Sequence, residues 1–337
     1  MSRTVIVTFF IASLLTSHSN ANAAAAGKKL VIAYAAMNAR VCPLWAPRER
    51  GFFSKYGFDA ETLFVRGAPT LVAAMASNEI EIGYTGGTAV IGSVASGSDL
   101  KVLSALTNRV TYDLVTRPGI KSPEDLRGKK FGVQSIGGTV WMGAILALEH
   151  LGLDPDRDKI AIIAAGDQTV LAQAVATGTI DATVLDGVQS RPLHARGFPI
   201  LAELDKAKLP ILSSSIVARE PYIQKNPQIV ENIMRAIIEG AASCLSPREK
   251  PSTLKILQKY LRVSEKDAEE GYKDMVTGLD RKPYANPAGV TNVVRLMKRT
   301  NPKVESVKPE NLIDDRILKK LDQSGFIDEV MAKYGVK

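Results

Sequence analysis

The sequence predicts an α/β protein built from two similar lobes, with a helical tail at its C-terminus. Three observations predict this fold class. A series of strands and helices recurs at a spacing of about 100 residues, and such a repeat indicates a duplicated unit. The apolar runs within it have the length of buried strands. From residue 220 onward, apolar residues recur at the three-to-four spacing of amphipathic helices. The 337 residues suffice for about two domains.

The repeat opens with a pair of lysines that leads into a short apolar run, at residues 28–35 and at residues 129–135. We predict a buried parallel strand for each run. A helix-length segment follows each strand and ends at Gly57 or Gly152, because glycine readily takes the left-handed conformation that ends a helix. The second strand of each copy is predicted at residues 60–65 and 160–164.

The closest match lies further along the repeat, between GAPTLVAAMASNEIEIGYTGG at residues 67–87 and GDQTVLAQAVATGTIDATVLDG at residues 166–187. Both stretches contain a helix of small and apolar residues, an Ile-acid step, a strand and a closing glycine. The alternative is that all α/β units share this general pattern. The matching glycines and acids favour a true duplication.

The lobes are predicted to be interleaved along the chain. We assign residues 24–119 and 211–337 to the first lobe with its C-terminal helices, and residues 120–210 to the second lobe. Two crossings between the lobes are expected, near residues 118–121 and 209–213. The tail helices are predicted at residues 227–242, 252–261, 264–277, 286–298 and 311–331.

The N-terminus has the pattern of a secretory signal peptide at residues 1–23. Arg3 precedes an apolar run at residues 5–15, and Ala21-Asn22-Ala23 has the small-residue pattern of a cleavage site. The run is shorter than the roughly 20 residues that span a bilayer. No cysteine directly follows the cleavage site, so a lipid anchor is not expected. We therefore expect a periplasmic or extracellular protein, with a formal charge of +7 in place of +8 after loss of Arg3.

Two cysteines, Cys42 and Cys244, cannot form a disulfide scaffold or a four-cysteine zinc site. In an oxidising compartment they could pair with each other. Two separate buried thiols are an equally good interpretation of the sequence. We expect neither a metal nor a cofactor.

Composition and motifs argue against two other classes of function. Charged residues of both signs are interspersed and form no basic block, so nucleic-acid binding is not expected. The sequence lacks the GxSxG, GxGxxG, Walker and HExxH motifs. Beyond the signal peptide the histidines are His150 and His194, which we interpret as structural or solvated. The sequence therefore does not predict an enzyme.

Candidate binding residues lie where predicted strands end and helices begin. In open α/β sheets, ligands bind outside the carboxyl ends of the strands, and free N–H groups with the helix dipole favour anions at helix N-termini. The candidates are Asn38, Arg40, Gly67, Thr70, Thr85, Gly86, Gly87, Thr88, Ser135, Gly138, Thr139, Trp141 and Asp186.

Each candidate also has an ordinary structural interpretation. The glycines and hydroxyls could form simple strand-to-helix turns. Arg40 could pair with an anion in bidentate fashion or be a solvated surface arginine. Trp141 could cover a flat ligand or pack within its lobe. Asp186 could meet an amino group of a ligand or cap a helix.

Four stretches, at residues 47–58, 76–83, 125–133 and 178–182, give the sequence a family resemblance. It resembles the extracytoplasmic solute-binding proteins of ABC transporters of the nitrate/sulfonate/taurine type, which are related to thiamine-pyrimidine-precursor binders. The resemblance is good over residues 28–219 and only general in the helical tail.

The resemblance implies a type II-like periplasmic binding protein fold, with a mixed, mostly parallel sheet in each lobe and a ligand in the cleft between them. It implies a monomer that delivers a small solute to an ABC permease. Together with the helix ends, it predicts an anionic or aromatic solute such as a sulfonate, a carboxylate or a pyrimidine-like compound. A ligand-presenting sensory module and, less favoured, a secreted enzyme on the same fold are the alternatives.

Overall fold

A computed structural model describes residues 28–336 and contains two five-stranded sheets. The predicted signal peptide lies outside the described residues. The strands are β1 (Lys28–Tyr34), β2 (Phe58–Phe64), β3 (Ile82–Thr85), β4 (Leu100–Arg109), β5 (Asp113–Thr116), β6 (Lys130–Val133), β7 (Ala161–Ala164), β8 (Ala182–Leu185), β9 (Ile200–Glu203) and β10 (Pro210–Arg219).

Helices cover the sheets and make up most of the C-terminal part of the chain. They are α1 (Cys42–Glu49), α2 (Phe52–Lys55), α3 (Ala68–Ala76), α4 (Gly87–Ala95), α5 (Thr139–His150), α6 (Gln168–Thr177), α7 (Gly187–Ala195), α8 (Leu204–Ala207), α9 (Glu220–Lys225), α10 (Pro227–Leu245), α11 (Lys250–Leu261), α12 (Glu265–Gly278), α13 (Pro287–Met297), α14 (Pro309–Leu312), α15 (Arg316–Gln323) and α16 (Phe326–Lys333).

The two sheets have the same order of equivalent strands, β2-β1-β3-β10-β4 and β7-β6-β8-β5-β9. In each sheet the first three strands are parallel, and the fourth runs antiparallel to its neighbours. The predicted two-lobed α/β fold with mixed, mostly parallel sheets is therefore confirmed.

Each lobe has a glycine two residues beyond the end of a helix, Gly57 after α2 and Gly152 after α5. The φ angles are 85° for Gly57 and 76° for Gly152. Both lie in the left-handed region, as predicted for glycines that end a helix.

The chain crosses between the sheets at two adjacent points. Residues 110–112 join β4 to β5, and residues 208–209 join α8 to β10. The two crossings touch, because the N–H of Val110 donates a hydrogen bond of 2.9 Å to the carbonyl oxygen of Leu209. This side-by-side pair is the geometry of a hinge between two lobes.

The first crossing differs from the prediction. We expected it near residues 118–121, with the strand-like run before it in the first lobe. That run is β5, which pairs with β8 and β9 of the second sheet, so the sheet changes before β5 and the second lobe begins near Asp113. The hydrophobic pattern of a fully buried strand is the same in either sheet, and it therefore predicts the strand but not its partners.

The C-terminal helices pack mainly on the first lobe, and α10 lies at their centre. Gly240 of α10 approaches α1 so closely that an added Cβ would lie 2.4 Å from the carbonyl oxygen of Pro43 and 2.6 Å from the ring of Pro47. Only glycine permits this contact between the two helices. The tail also contacts the second lobe, because Arg295 of α13 forms a 2.7 Å ion pair with Glu149 of α5.

A buried carboxylate on α10 connects the last helix to the fold. The Glu239 side chain is fully buried and accepts hydrogen bonds from Lys55 at 2.5 Å, Lys333 at 2.8 Å and Tyr56 at 2.8 Å. Burial alone would raise the pKa of Glu239, but these donors outweigh it and lower the pKa to about 2.

We predict that Glu239→Gln lowers the free energy of unfolding at pH 7 by about 2 kcal/mol, because charge-assisted hydrogen bonds are lost. The folded pKa lies below the usual value of 4.5. The stabilisation is therefore complete above about pH 5 and is lost as the pH falls towards 2. Urea unfolding of wild type and variant between pH 7 and pH 3 measures this difference.

The matched control is Glu305→Gln, which removes an exposed carboxylate 3.5 Å from Lys298. It should change the free energy of unfolding by less than about 0.5 kcal/mol. A Glu239→Gln variant as stable as this control at pH 7 would contradict the assigned role of the buried carboxylate.

Candidate functional site

A small cavity of about 30 Å³ lies between the carboxyl ends of the strands of the two sheets. This volume is enough for roughly two water molecules. Residues of both lobes line it, and seven of the predicted site residues are among them: Asn38, Arg40, Thr85, Gly86, Ser135, Gly138 and Thr139.

Arg40 is the charged residue of this cavity. It lies in the 3-10 turn Ala39–Val41 that follows β1. The Asn38 side-chain oxygen accepts a 3.1 Å hydrogen bond from the N–H of Arg40, and the Tyr84 hydroxyl donates a 2.7 Å hydrogen bond to the Arg40 carbonyl oxygen. The turn is therefore stabilised by the adjacent residue Asn38 and by Tyr84 of the neighbouring strand β3.

The Arg40 side chain is buried, with 1% of the residue exposed. Its guanidinium carbon lies 4.7 Å from the centre of the Tyr112 ring. The Nη2 atom has no hydrogen-bond partner among the described residues. An unpaired charged donor in the interior is costly, and an anion in the cavity would supply the missing acceptor. The solvated-surface interpretation of Arg40 is wrong.

Two acidic side chains compensate the charge of Arg40. Burial would lower the pKa of Arg40, but Tyr112, Asp186 and Asp274 outweigh it and raise the pKa. Burial, opposed by Arg40, raises the pKa of Asp186 to about 6. Burial and the nearby Asp186 raise the pKa of Asp274 to about 7. The carboxyls come from different parts of the fold, since Asp186 precedes α7 in the second lobe and Asp274 lies on α12 of the tail.

Asp186 occupies the N-cap position of α7, as its structural interpretation predicts, but its carboxylate makes no capping hydrogen bond. Both oxygens lack a partner among the described residues. The N–H of Gly187 donates instead to the Asp274 carboxylate. The N–H groups of Val188 and Gln189 lie near enough to lower the pKa of Asp186 without making a hydrogen bond of ordinary geometry.

Helix N-termini from both lobes face the cavity. Gly86 precedes α4 and Gly138 precedes α5, and neither helix has a side-chain cap. The first N–H groups of these helices therefore remain available, and the helix dipoles favour a negative charge there. The Thr85 hydroxyl is also buried without a partner among the described residues.

The lobes are in contact around the cavity. Gln134 donates a 3.1 Å hydrogen bond to the carbonyl oxygen of Ala35, and Arg66 lies 3.4 Å from the Asp167 carboxylate. At Gly86 an added Cβ would lie 1.7 Å from the Thr139 hydroxyl oxygen. The lobes thus meet across the cavity, and their approach at Gly86 leaves no room for a side chain at that position.

A second, larger cavity of about 650 Å³ lies beside the first, and Asn38 lines both. Its wall combines apolar side chains with charged ones from both lobes. The residues that matter here are Met37, Phe64, Val188, Tyr260, Asp167 and Asp186. The two cavities together offer a small polar compartment next to a roomier mixed one.

The other predicted site residues lie outside the small cavity. An added Cβ on Gly67 would lie 3.5 Å from the Ser135 hydroxyl and 3.9 Å from the Thr70 hydroxyl. Gly67 and Thr70 are therefore close to the cleft. Gly87 packs against Leu212. Thr88 is fully buried, and Trp141 packs against the hydrophobic core.

Several residues around the small cavity were not among the residues predicted from the sequence. Gln134, Tyr112, Ser213 and Ser214 line the small cavity, and Asp274 faces Arg40 from the tail. One signal was present, because three consecutive serines in the otherwise apolar β10 are unusual for a buried strand. Nothing local in α12 distinguishes Asp274 from an exposed helical acid.

Comparison with known proteins places the chain in a family. Residues 38–250 match the family described as NMT1/THI5 like. The chain belongs to this family. A candidate binding protein of Brucella abortus (strain 2308) is 28% identical over 229 residues, which cover 67% of this chain and 69% of that protein.

Solved structures share the fold at low sequence identity. A Bordetella bronchiseptica protein has a TM-score of 0.75 at 17% identity, covering 88% of this chain and 97% of that one. The sulfonate-binding protein SsuA of Methylobacillus flagellatus has a TM-score of 0.69 at 19% identity, with coverages of 89% and 96%. The nitrate-binding protein NrtA of Synechocystis has a TM-score of 0.69 at 13% identity, with coverages of 88% and 89%.

We predict that Gly86→Ala prevents full closure of the cleft, because its Cβ would overlap the Thr139 side chain of the opposite lobe. Small-angle scattering should give a larger radius of gyration for the variant than for wild type. The control is Gly92→Ala on the same helix, where the nearest atom would be the Met297 methyl carbon at an ordinary 3.5 Å. Identical scattering from Gly86→Ala and Gly92→Ala would contradict the closed arrangement.

Proposed function

We propose that the chain is an exported solute-binding protein that encloses a small organic anion between its lobes and delivers it to an ABC importer. The observation that carries the proposal is the buried Arg40, whose Nη2 atom has no partner among the described residues and which lines the interlobe cavity. A carboxylate, sulfonate or similar oxyanion supplies acceptors that match a guanidinium.

The cavity geometry favours an organic anion. The small cavity accommodates the charged head beside Arg40, Thr85 and the N-termini of α4 and α5. The remainder of the ligand extends past Asn38 into the larger cavity. Fold relatives named as binders of sulfonate and nitrate support an anion in this cleft.

Other observations support export and delivery. The N-terminal residues have the pattern of a signal peptide. Among the described residues, no helix is long and apolar enough to cross a membrane. We assign translocation to a partner in the membrane, and the names of the fold relatives support an ABC importer in that role.

A thermal-shift and calorimetric screen tests the proposal with methanesulfonate, benzenesulfonate, benzoate, nitrate and the neutral pyrimidine thymine. We expect at least one anion to raise the melting temperature, because a ligand that binds only the folded state stabilises it. No response to any of these anions, or a response to thymine alone, would contradict an anion site.

Variants then locate the bound anion. Arg40→Gln should weaken the binding of the responding anion at least tenfold, since it removes the charged donor. Thr85→Val removes a hydroxyl without a partner and should weaken binding several-fold while leaving folding intact. The control Arg117→Gln alters a half-exposed arginine paired with Asp181. Unchanged affinity in both cleft variants would contradict the assigned site.

A further inference from the structure

Two buried thiols lie in contact at the junction of the first lobe and the tail. Cys42 is the first residue of α1, and Cys244 lies near the end of α10. Both residues are fully buried, and their sulfur atoms are 2.8 Å apart although 202 positions separate them in the sequence. The chain contains no other cysteine.

The surroundings of the two thiols exclude other common uses of cysteine. Burial and the neighbouring thiol raise the pKa of Cys42 well above its usual value, whereas a reactive cysteine needs a lowered pKa and access to solvent. No group of three potential metal ligands occurs within residues 28–336. The 2.8 Å contact between the two sulfurs instead favours a bond between them.

We propose that Cys42 and Cys244 form a disulfide in the exported protein. Each thiol loses a proton, the two sulfurs join, and two electrons pass to a disulfide-bearing oxidant, which is reduced to two thiols. Because both sulfurs are inaccessible in the folded chain, the bond forms during folding, before α10 covers α1. The proposal rests on export to an oxidising compartment.

The bond would connect the 3-10 turn that contains Arg40, through α1, to α10. Arg40 lies two residues before Cys42. The Tyr84 hydroxyl donates a hydrogen bond to the carbonyl oxygen of Arg40. The close approach of α1 and α10 at Gly240 already brings the two helices together. The loop closed by the bond contains the whole second lobe, so the bond would restrict the unfolded chain over a long segment.

Thiol counting tests the proposal. The full chain is refolded with a mixture of oxidised and reduced glutathione, denatured, and alkylated with iodoacetamide before mass measurement. We expect no alkyl group without a reductant and two after reduction, with a peptide joining Cys42 to Cys244. Two alkyl groups without prior reduction would overturn the proposal.

Thermal unfolding provides a second readout that does not depend on any ligand. The oxidised protein should melt about 5 °C above the reduced protein. The double variant Cys42→Ala/Cys244→Ala should show no dependence on reductant. An oxidised wild type with the same melting temperature as its reduced form would contradict a stabilising bond. Since neither measurement uses an anion, failure here is separate from failure of the proposed function.

Discussion

The burial of the Arg40 guanidinium is the constraint on which the rest of the site depends. A charge removed from water must be compensated by nearby groups. The fold provides the Tyr112 ring at 4.7 Å and the carboxyls of Asp186 and Asp274. These groups come from the hinge, the second lobe and the C-terminal tail, so compensation of one charge requires all three parts to be assembled.

The compensation leaves the Nη2 atom of Arg40 without an acceptor among the described residues, which the proposed anion would supply. Burial raises the pKa of both Asp186 and Asp274, and the nearby Asp186 raises that of Asp274 further. Raised pKa values favour the neutral carboxyl, so the pair presents less negative charge to an anion at the Nη2 atom than two ordinary carboxylates would. The N-termini of α4 and α5 add partial positive charge from opposite lobes.

Sequence reasoning predicted the parts of this arrangement that local patterns specify. Strand ends followed by glycines and hydroxyls identified Thr85, Gly86, Ser135 and Thr139, because such turns recur wherever a parallel strand leads into a helix. It could not predict which sheet would contain β5, since a buried strand has the same pattern in both. It also could not place Asp274, because the contact between α12 and Arg40 depends on tertiary packing.

The most direct test of the central claim is a crystal structure with the tightest-binding anion of the screen. The account predicts electron density for its charged group beside the Arg40 guanidinium and the N-termini of α4 and α5, with the lobes closed around it. An anion bound only on the outer surface, with the Arg40 cavity occupied by water, would contradict the account.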